Sequence, residues 1–186
     1  MCERYFRTKA LVVIDMQNAV VDGIESADET ISNISDLVDS ARRHGAPVAW
    51  VQHDDQDLPR GSQGWRIVPG LAPHEGDIFI GKQHRSAFAG TGLADALRRA
   101  GVEGIVLTGA QSAYYVDMAG KHALAEGFDV TLVSDGHCNG PLSIEGDGHG
   151  DELSDAQVRG LVNRTWSSLE HPGRDARILP AAAVSW

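Results

Sequence analysis

The 186-residue chain has few cysteines, few aromatics, a deficit of positive charge and no long apolar run. Each shortage removes a class of protein. Two cysteines, Cys2 and Cys138, do not make a disulfide scaffold or a Cys-rich zinc centre, and Cys2 stands at a terminus expected to fray. Sixteen Lys and Arg against 26 Asp and Glu give a net charge of −10. That balance lacks the basic footprint of a nucleic-acid binder and argues against an anionic membrane surface. No stretch approaches the ~20 apolar residues of a bilayer span. The run after Lys9 is too short for a secretory signal, and no small-residue cleavage site follows it. The expectation is a cytoplasmic protein with neither nucleic-acid nor membrane partners. What is present is 42% hydrophobic residues, enough for a core, on a length that suits one domain over residues 1–186.

Apolar runs alternate with helical patterns. Ala10–Ile14 (ALVVI) reads as a strand buried on both faces. Ala27–His44 carries apolar residues at helical spacing, and Gly45 stops it. Pro47–Val51, Asp77–Ile80, Gly104–Thr108, Val130–Val133 and Arg177–Leu179 read as further strands. Thr91–Ala100 (capped by Thr91), Ser112–Glu126 and Ser154–Glu170 (capped by Ser154) read as helices. Two loops stand out: a long polar stretch from His53 to Glu75, and a Gly-rich one over 139–151. The alternation predicts an α/β fold, a three-layer doubly wound sheet of about six mainly parallel strands flanked by helices. Ligands of such sheets bind beyond the carboxyl ends of the strands, at the switch point.

Those ends carry chemistry. The first strand runs into Asp15-Met16-Gln17, the third into Gly81-Lys82, and GIVLT into Gly109-Ala110-Gln111-Ser112, where a helix opens. An acid, a base and a helix start therefore converge where a small-molecule substrate binds. Asp15 alone reads equally as a turn residue and Lys82 alone as a surface charge. Together, a lysine beside a carboxylate on a pocket floor perturbs both. No G-x-G-x-x-G follows the first strand, where the sequence is DMQNAVVDG, and neither a P-loop nor a G-x-S-x-G elbow occurs. No cofactor is expected. His53, Asp54, Asp55 and His84 show no repeated ligand spacing, so no metal is expected either.

LVVIDMQN, PGLAP after Gly64-Trp65, GKQHRSAFAGTGL and TGAQSAYYVDMAGKHALAEGFDVTLVSDGH stand in unbroken order from Lys9 to Trp166. Together they resemble the isochorismatase-like hydrolase superfamily, which includes cysteine-dependent amidohydrolases and isochorismatases. The resemblance implies a six-stranded α/β fold, assembly as a homodimer or homotetramer, and a cis peptide at Ala110–Gln111. It implies that Asp15 and Lys82 match the acid and lysine of an Asp, Lys and Cys triad. The chain departs at the third member: Tyr115 stands where the cysteine would fall. The Asp-x-His zinc pattern of nicotinamidases is also unmatched by Gln52-His53-Asp54-Asp55.

Three readings follow. Asp15 is a general acid/base of a thiol-free hydrolase, as the resemblance to isochorismatases implies, with Lys82 tuning it and Tyr115 lining the pocket. Alternatively the chain is an inactive family member that binds a small ligand or serves an assembly. In the third, Tyr115 is itself the proton donor, its pKa lowered by Lys82. Gln17, Trp65, Phe88 and Gln111 are candidate substrate contacts by position, with Trp65 equally a loop anchor and Phe88 equally a core residue. The amides of Gln111 and Tyr115 match the family's oxyanion-hole positions. Cys138, at another strand end, is a remote candidate for a displaced thiol. The C-terminal AAAVSW either makes a subunit contact or frays.

Overall fold

The computed structural model describes residues 8–144 and 151–186. Among the described residues eight strands and five α-helices follow in the order β1 (Lys9–Ile14), α1 (Asn18–Val21), α2 (Ala27–Arg43), β2 (Val48–His53), β3 (Ile78–Lys82), α3 (Leu93–Arg99), β4 (Gly104–Ala110), α4 (Asp117–Ala125), β5 (Asp129–Cys138), β6 (Leu142–Ile144), β7 (Asp151–Leu153), α5 (Asp155–Trp166) and β8 (Ala176–Leu179). A π-helical turn, Ser112–Val116, joins β4 to α4.

Six strands form one sheet in the order β3-β2-β1-β4-β5-β8, with every pairing parallel. The chain winds outward from β1 through β2 to β3, then returns to β4 and winds the other way. β1 and β4 therefore flank the switch point. Both faces are covered, which is why β1 is apolar at every position after Lys9. Ala10, Val12 and Ile14 pack with Leu93 and Leu97 of α3, Ala119 and Ala123 of α4, and Val162 and Trp166 of α5. Leu11 and Val13 face the other way, onto Ile34, Leu37, Val38 and Ala41 of α2. The result is the expected three-layer architecture.

Several boundaries differ from the sequence expectation. α3 begins at Leu93 with Gly92 at its cap; Thr91 Oγ1 instead bridges, donating to Ala87 O (2.6 Å) and accepting from Leu93 N (3.3 Å). α5 stops at Trp166, because the hydroxyls of Ser167 and Ser168 take the carbonyls of Arg164 and Thr165. Its start is as expected, with Ser154 and Gln157 forming a capping box. β5 continues past Val133 to Cys138 through a register shift against β4. The ends of the 139–151 loop pair as the antiparallel strands β6 and β7, while 145–150 lie outside the described residues, as does Cys2. The C-terminus folds back on α2, where Trp186 Nε1 donates to Ser40 Oγ at 2.9 Å. Among the described residues no helix is long and apolar enough to cross a membrane.

Candidate functional site

β1 ends at Ile14, and Asp15 turns the chain with φ 49°. Aspartate is one of the few non-glycine residues that tolerates this region. The turn is fixed by its backbone: Asp15 N donates to Val51 O at 2.8 Å, and Asp15 O accepts from Gln17 N at 2.8 Å. Lys82 ends β3, in register with His53 at the end of β2. Its side chain crosses beyond the β2 end and brings Nζ to 2.6 Å from Asp15 Oδ2, with both side chains at 0% exposure. The contact is a buried ion pair.

Burial pushes the Asp15 carboxyl up from 3.8 to about 6. The Lys82 charge opposes that rise most, followed by His53.

The Tyr115 ring lies against the Lys82 ammonium. Lys82 Nζ lies 4.2 Å from the centroid of that ring, and the His53 ring stacks on it at 6.0 Å and 19°. His53 Nε2 is in turn 2.9 Å from Asp55 Oδ2, a bond that holds the Asp55 carboxyl below its usual range. Burial, then the Asp15 charge, raises the Tyr115 phenol above 10. That direction is opposite to the one a proton donor activated by Lys82 requires. Lys82 meets the face of the ring, and among the described residues no hydrogen bond joins it to the hydroxyl.

The π-helical turn places Tyr115. The Gln111 carbonyl accepts from Tyr114 N, Tyr115 N (2.9 Å) and Val116 N. The Tyr115 amide, expected as an oxyanion donor, is thus engaged within the turn. The peptide Ala110–Gln111 is cis, as the resemblance implied.

The other candidates are held in different ways. Gln17 is fully buried and spends its amide on backbone: Nε2 donates to His53 O (3.0 Å) and Trp65 O (2.9 Å), and Oε1 accepts from His53 N (2.8 Å). It clamps the long polar loop to the β2 end. Gln52 Nε2 adds a second bond to Trp65 O, so the Trp65 backbone anchors the loop. The Trp65 ring is half-buried under the Arg60 guanidinium, 5.7 Å from its centroid. Phe88 is 6% exposed and packs on Phe128 and His122 in the α4 layer.

Two buried polar chains, absent from the sequence expectation, anchor the π-helical turn to α5. Ser112 Oγ donates to His137 Nδ1 (2.7 Å), and His137 Nε2 donates to Asn163 Oδ1 (2.9 Å). Burial lowers the His137 pKa to about 4, so the ring is neutral and both bonds are consistent. Asn139 Oδ1 accepts from Ala113 N, and Asp155 Oδ1 accepts from Asn139 N. The signal for the first chain was a histidine at the end of an apolar strand, beside Asp135-Gly136. Cys138 packs on the α2 face with its thiol pushed up to about 12 by burial, so it is no displaced nucleophile. Among the described residues no group of three His, Cys, Asp and Glu side chains converges as a metal site requires.

The isochorismatase domain pattern matches residues 9–156, most of the chain. The chain belongs to the isochorismatase family. The isochorismatase family protein YwoC of Bacillus subtilis is 30% identical over 147 residues, covering 70% of this chain and 77% of its own. Streptothricin hydrolase of Streptomyces noursei is 33% identical over 136 residues, covering 69% of this chain and 54% of its own. The crystal structure of an isochorismatase from Pseudomonas putida superposes with a TM-score of 0.83 at 27% identity, covering 96% of this chain and 90% of that one. In this chain the Asp15–Lys82 pair lies beyond the carboxyl end of β1, which flanks the switch point.

Proposed function

We propose that this isochorismatase-family chain hydrolyses a small organic molecule without a thiol nucleophile. Asp15 is the general acid and base, and Lys82 sets its proton affinity. The observation that carries the reading is the Asp15 carboxyl, balanced at about 6 between burial and the Lys82 charge. An acid in that range holds a proton to deliver and takes one back near neutrality. Protonated Asp15 gives its proton to the leaving oxygen or nitrogen, water adds to the other fragment, and the Asp15 carboxylate recovers the proton that water releases. Atoms balance with water as the only co-reactant.

Two further points support it. A buried ion pair costs more desolvation than an apolar pair of the same volume, so it is a poor choice for stability alone. Streptothricin hydrolase, a relative, is by name a hydrolase of a small molecule. On the family resemblance Tyr115 takes the place of the cysteine nucleophile. Its raised pKa leaves no phenolate to attack near neutrality. Trp65 and Gln111 are substrate contacts in this reading. Gln17 and Phe88 act through the backbone and ring they hold.

A second reading is favoured by one observation: the Asp15 and Lys82 side chains have no exposed surface, and the Tyr115 ring lies over the Lys82 ammonium. A ring there occupies room that a substrate uses, which describes a scaffold that binds without turnover. The test is a panel of small amides, ureides and vinyl ethers, followed by product mass, with wild type, Asp15→Asn and Tyr115→Cys. Wild-type turnover lost in Asp15→Asn supports the hydrolase and reveals the bond. Turnover only in Tyr115→Cys supports the second reading.

A further inference from the structure

His53 ends β2, and its backbone is held independently of its ring. Its N–H donates to Gln17 Oε1 at 2.8 Å, and its carbonyl accepts from Gln17 Nε2 at 3.0 Å. The ring stands among the charged and titratable groups of the site. These are Asp15 from the β1 end, Lys82 in register on β3, Tyr115 stacked on it at 6.0 Å, and Asp55 on its own loop. The His53 charge is felt at Asp15, where it opposes the rise caused by burial.

The two ring nitrogens differ. Nε2 lies 2.9 Å from Asp55 Oδ2, and the Asp55 carboxyl is held below its usual range, foremost by this bond. An ionised carboxylate only accepts, so the proton of the neutral ring sits on Nε2. Nδ1 is then an acceptor. It is buried, and it has no hydrogen-bond partner among the described residues. A buried acceptor of this kind takes its bond from an O–H outside the chain. No other described histidine combines these features. His137 engages both ring nitrogens, and His122 Nδ1 and His44 Nδ1 are bonded to Ser86 Oγ and Ser40 O. His74 and His84 are exposed. His171 also has an unpartnered Nδ1, but it stands ahead of β8, at the sheet edge opposite β3.

A carboxylate that orients an imidazole through one nitrogen leaves the other to act as a general base. Asp15 calls for such a partner: while it holds a proton for the leaving group, it cannot take one from water. We propose that His53 is the general base of this site, oriented by Asp55, and that it carries the water proton back to Asp15. The inference deepens the hydrolase reading and rests on it. Water gives a proton to Nδ1 as its oxygen bonds to the substrate carbon. Asp15 protonates the leaving oxygen or nitrogen as the bond to that carbon breaks. The imidazolium then returns its proton to the Asp15 carboxylate, so the sum is one water added across the broken bond.

Two measurements on wild type, His53→Gln and Asp55→Asn test it. Nitrogen NMR of histidine-labelled protein reads the tautomer without turnover. Neutral His53 is expected to carry its proton on Nε2 in wild type, and to lose that bias in Asp55→Asn. A proton on Nδ1 in wild type overturns the proposal. The second measurement is the pH profile of kcat on whichever panel compound wild type cleaves. His53→Gln is expected to lower kcat about a hundredfold or more with KM little changed, because both backbone bonds to Gln17 remain. Its profile is expected to lose the fall on the acid side, which reports the base. The fall on the alkaline side, which reports Asp15, is expected to persist and move upward, since the His53 charge no longer opposes burial there. Asp55 is exposed, so Asp55→Asn is expected to fold, and its kcat is expected to fall as well. An unchanged rate in either variant, or an acid-side fall that survives in His53→Gln, overturns the base and leaves the hydrolase standing. A wild type that turns over nothing removes both.

Discussion

One ammonium serves two neighbours in this fold: Lys82 Nζ lies 2.6 Å from Asp15 Oδ2 and 4.2 Å from the centroid of the Tyr115 ring. The carboxylate gains a counter-charge, and the same ammonium lies against the aromatic face. The Asp15 proton affinity follows from this arrangement, as burial raises it and Lys82 restrains it.

Removing the restraint moves the acid. Lys82→Met is expected to shift the Asp15 titration upward from about 6, because the largest opposing influence is gone and burial remains. A carboxyl titration by carbon NMR checks this. An unchanged midpoint contradicts the assigned role of Lys82.

The same acid makes stability depend on pH. Below pH 3.8 Asp15 is protonated in folded and unfolded chains alike. Between 3.8 and about 6 the unfolded chain releases the proton that the folded chain keeps, so stability falls as pH rises and then levels off. The span amounts to about 3 kcal/mol. His137 acts in the reverse sense: the unfolded chain gains a proton below 6.5 that the folded chain refuses until about 4. Asp15→Asn removes only the first slope. Its stability relative to wild type, from urea unfolding, is expected to climb between pH 4 and 6 and stay flat above.

Tyr115 is assigned as a cover and not as a proton donor. Tyr115→Phe keeps the ring over Lys82 and is expected to leave turnover unchanged. Tyr115→Ala admits water and is expected to lower the Asp15 titration toward 3.8, since desolvation is its chief cause. Loss of turnover in Tyr115→Phe would make the hydroxyl the donor instead.

Gly109 allows β4 to pass the end of β1. Its φ is +125°, and a Cβ there would stand 2.1 Å from Ile14 O, one residue before Asp15. Gly109→Ala combines a strained backbone with a clash that no side chain can relieve. It is expected to cost about 3 kcal/mol or more in chemical unfolding. A change below about 1 kcal/mol, within the range of ordinary surface substitutions, contradicts this close approach.

The sheet was legible because parallel strands buried on both faces are continuous apolar runs, as in ALVVI and GIVLT. The meeting of Asp15 and Lys82 was legible as well, since both follow strands and the switch-point rule sends strand ends to one crevice. What each side chain faces was not. Gln17 reads as a pocket residue by position, yet the backbone of His53 and Trp65 consumes its amide. The π-helical turn needs Val116 N to reach Gln111 O, a choice of ladder that apolar spacing does not encode. The contacts of Ser112, His137 and Asn163 join residues 25 to 26 positions apart, beyond any local pattern.

Turnover after exhaustive iodoacetamide treatment tests the central claim most directly. Cys138 is buried with its thiol pushed up to about 12, so the folded chain is expected to leave it unmodified, and the proposed chemistry uses no thiol. The account predicts that treated wild type keeps its full rate on whichever panel member it cleaves, and that treated Asp15→Asn shows none. Inactivation of wild type by alkylation, or a rate that survives in Asp15→Asn, would contradict it.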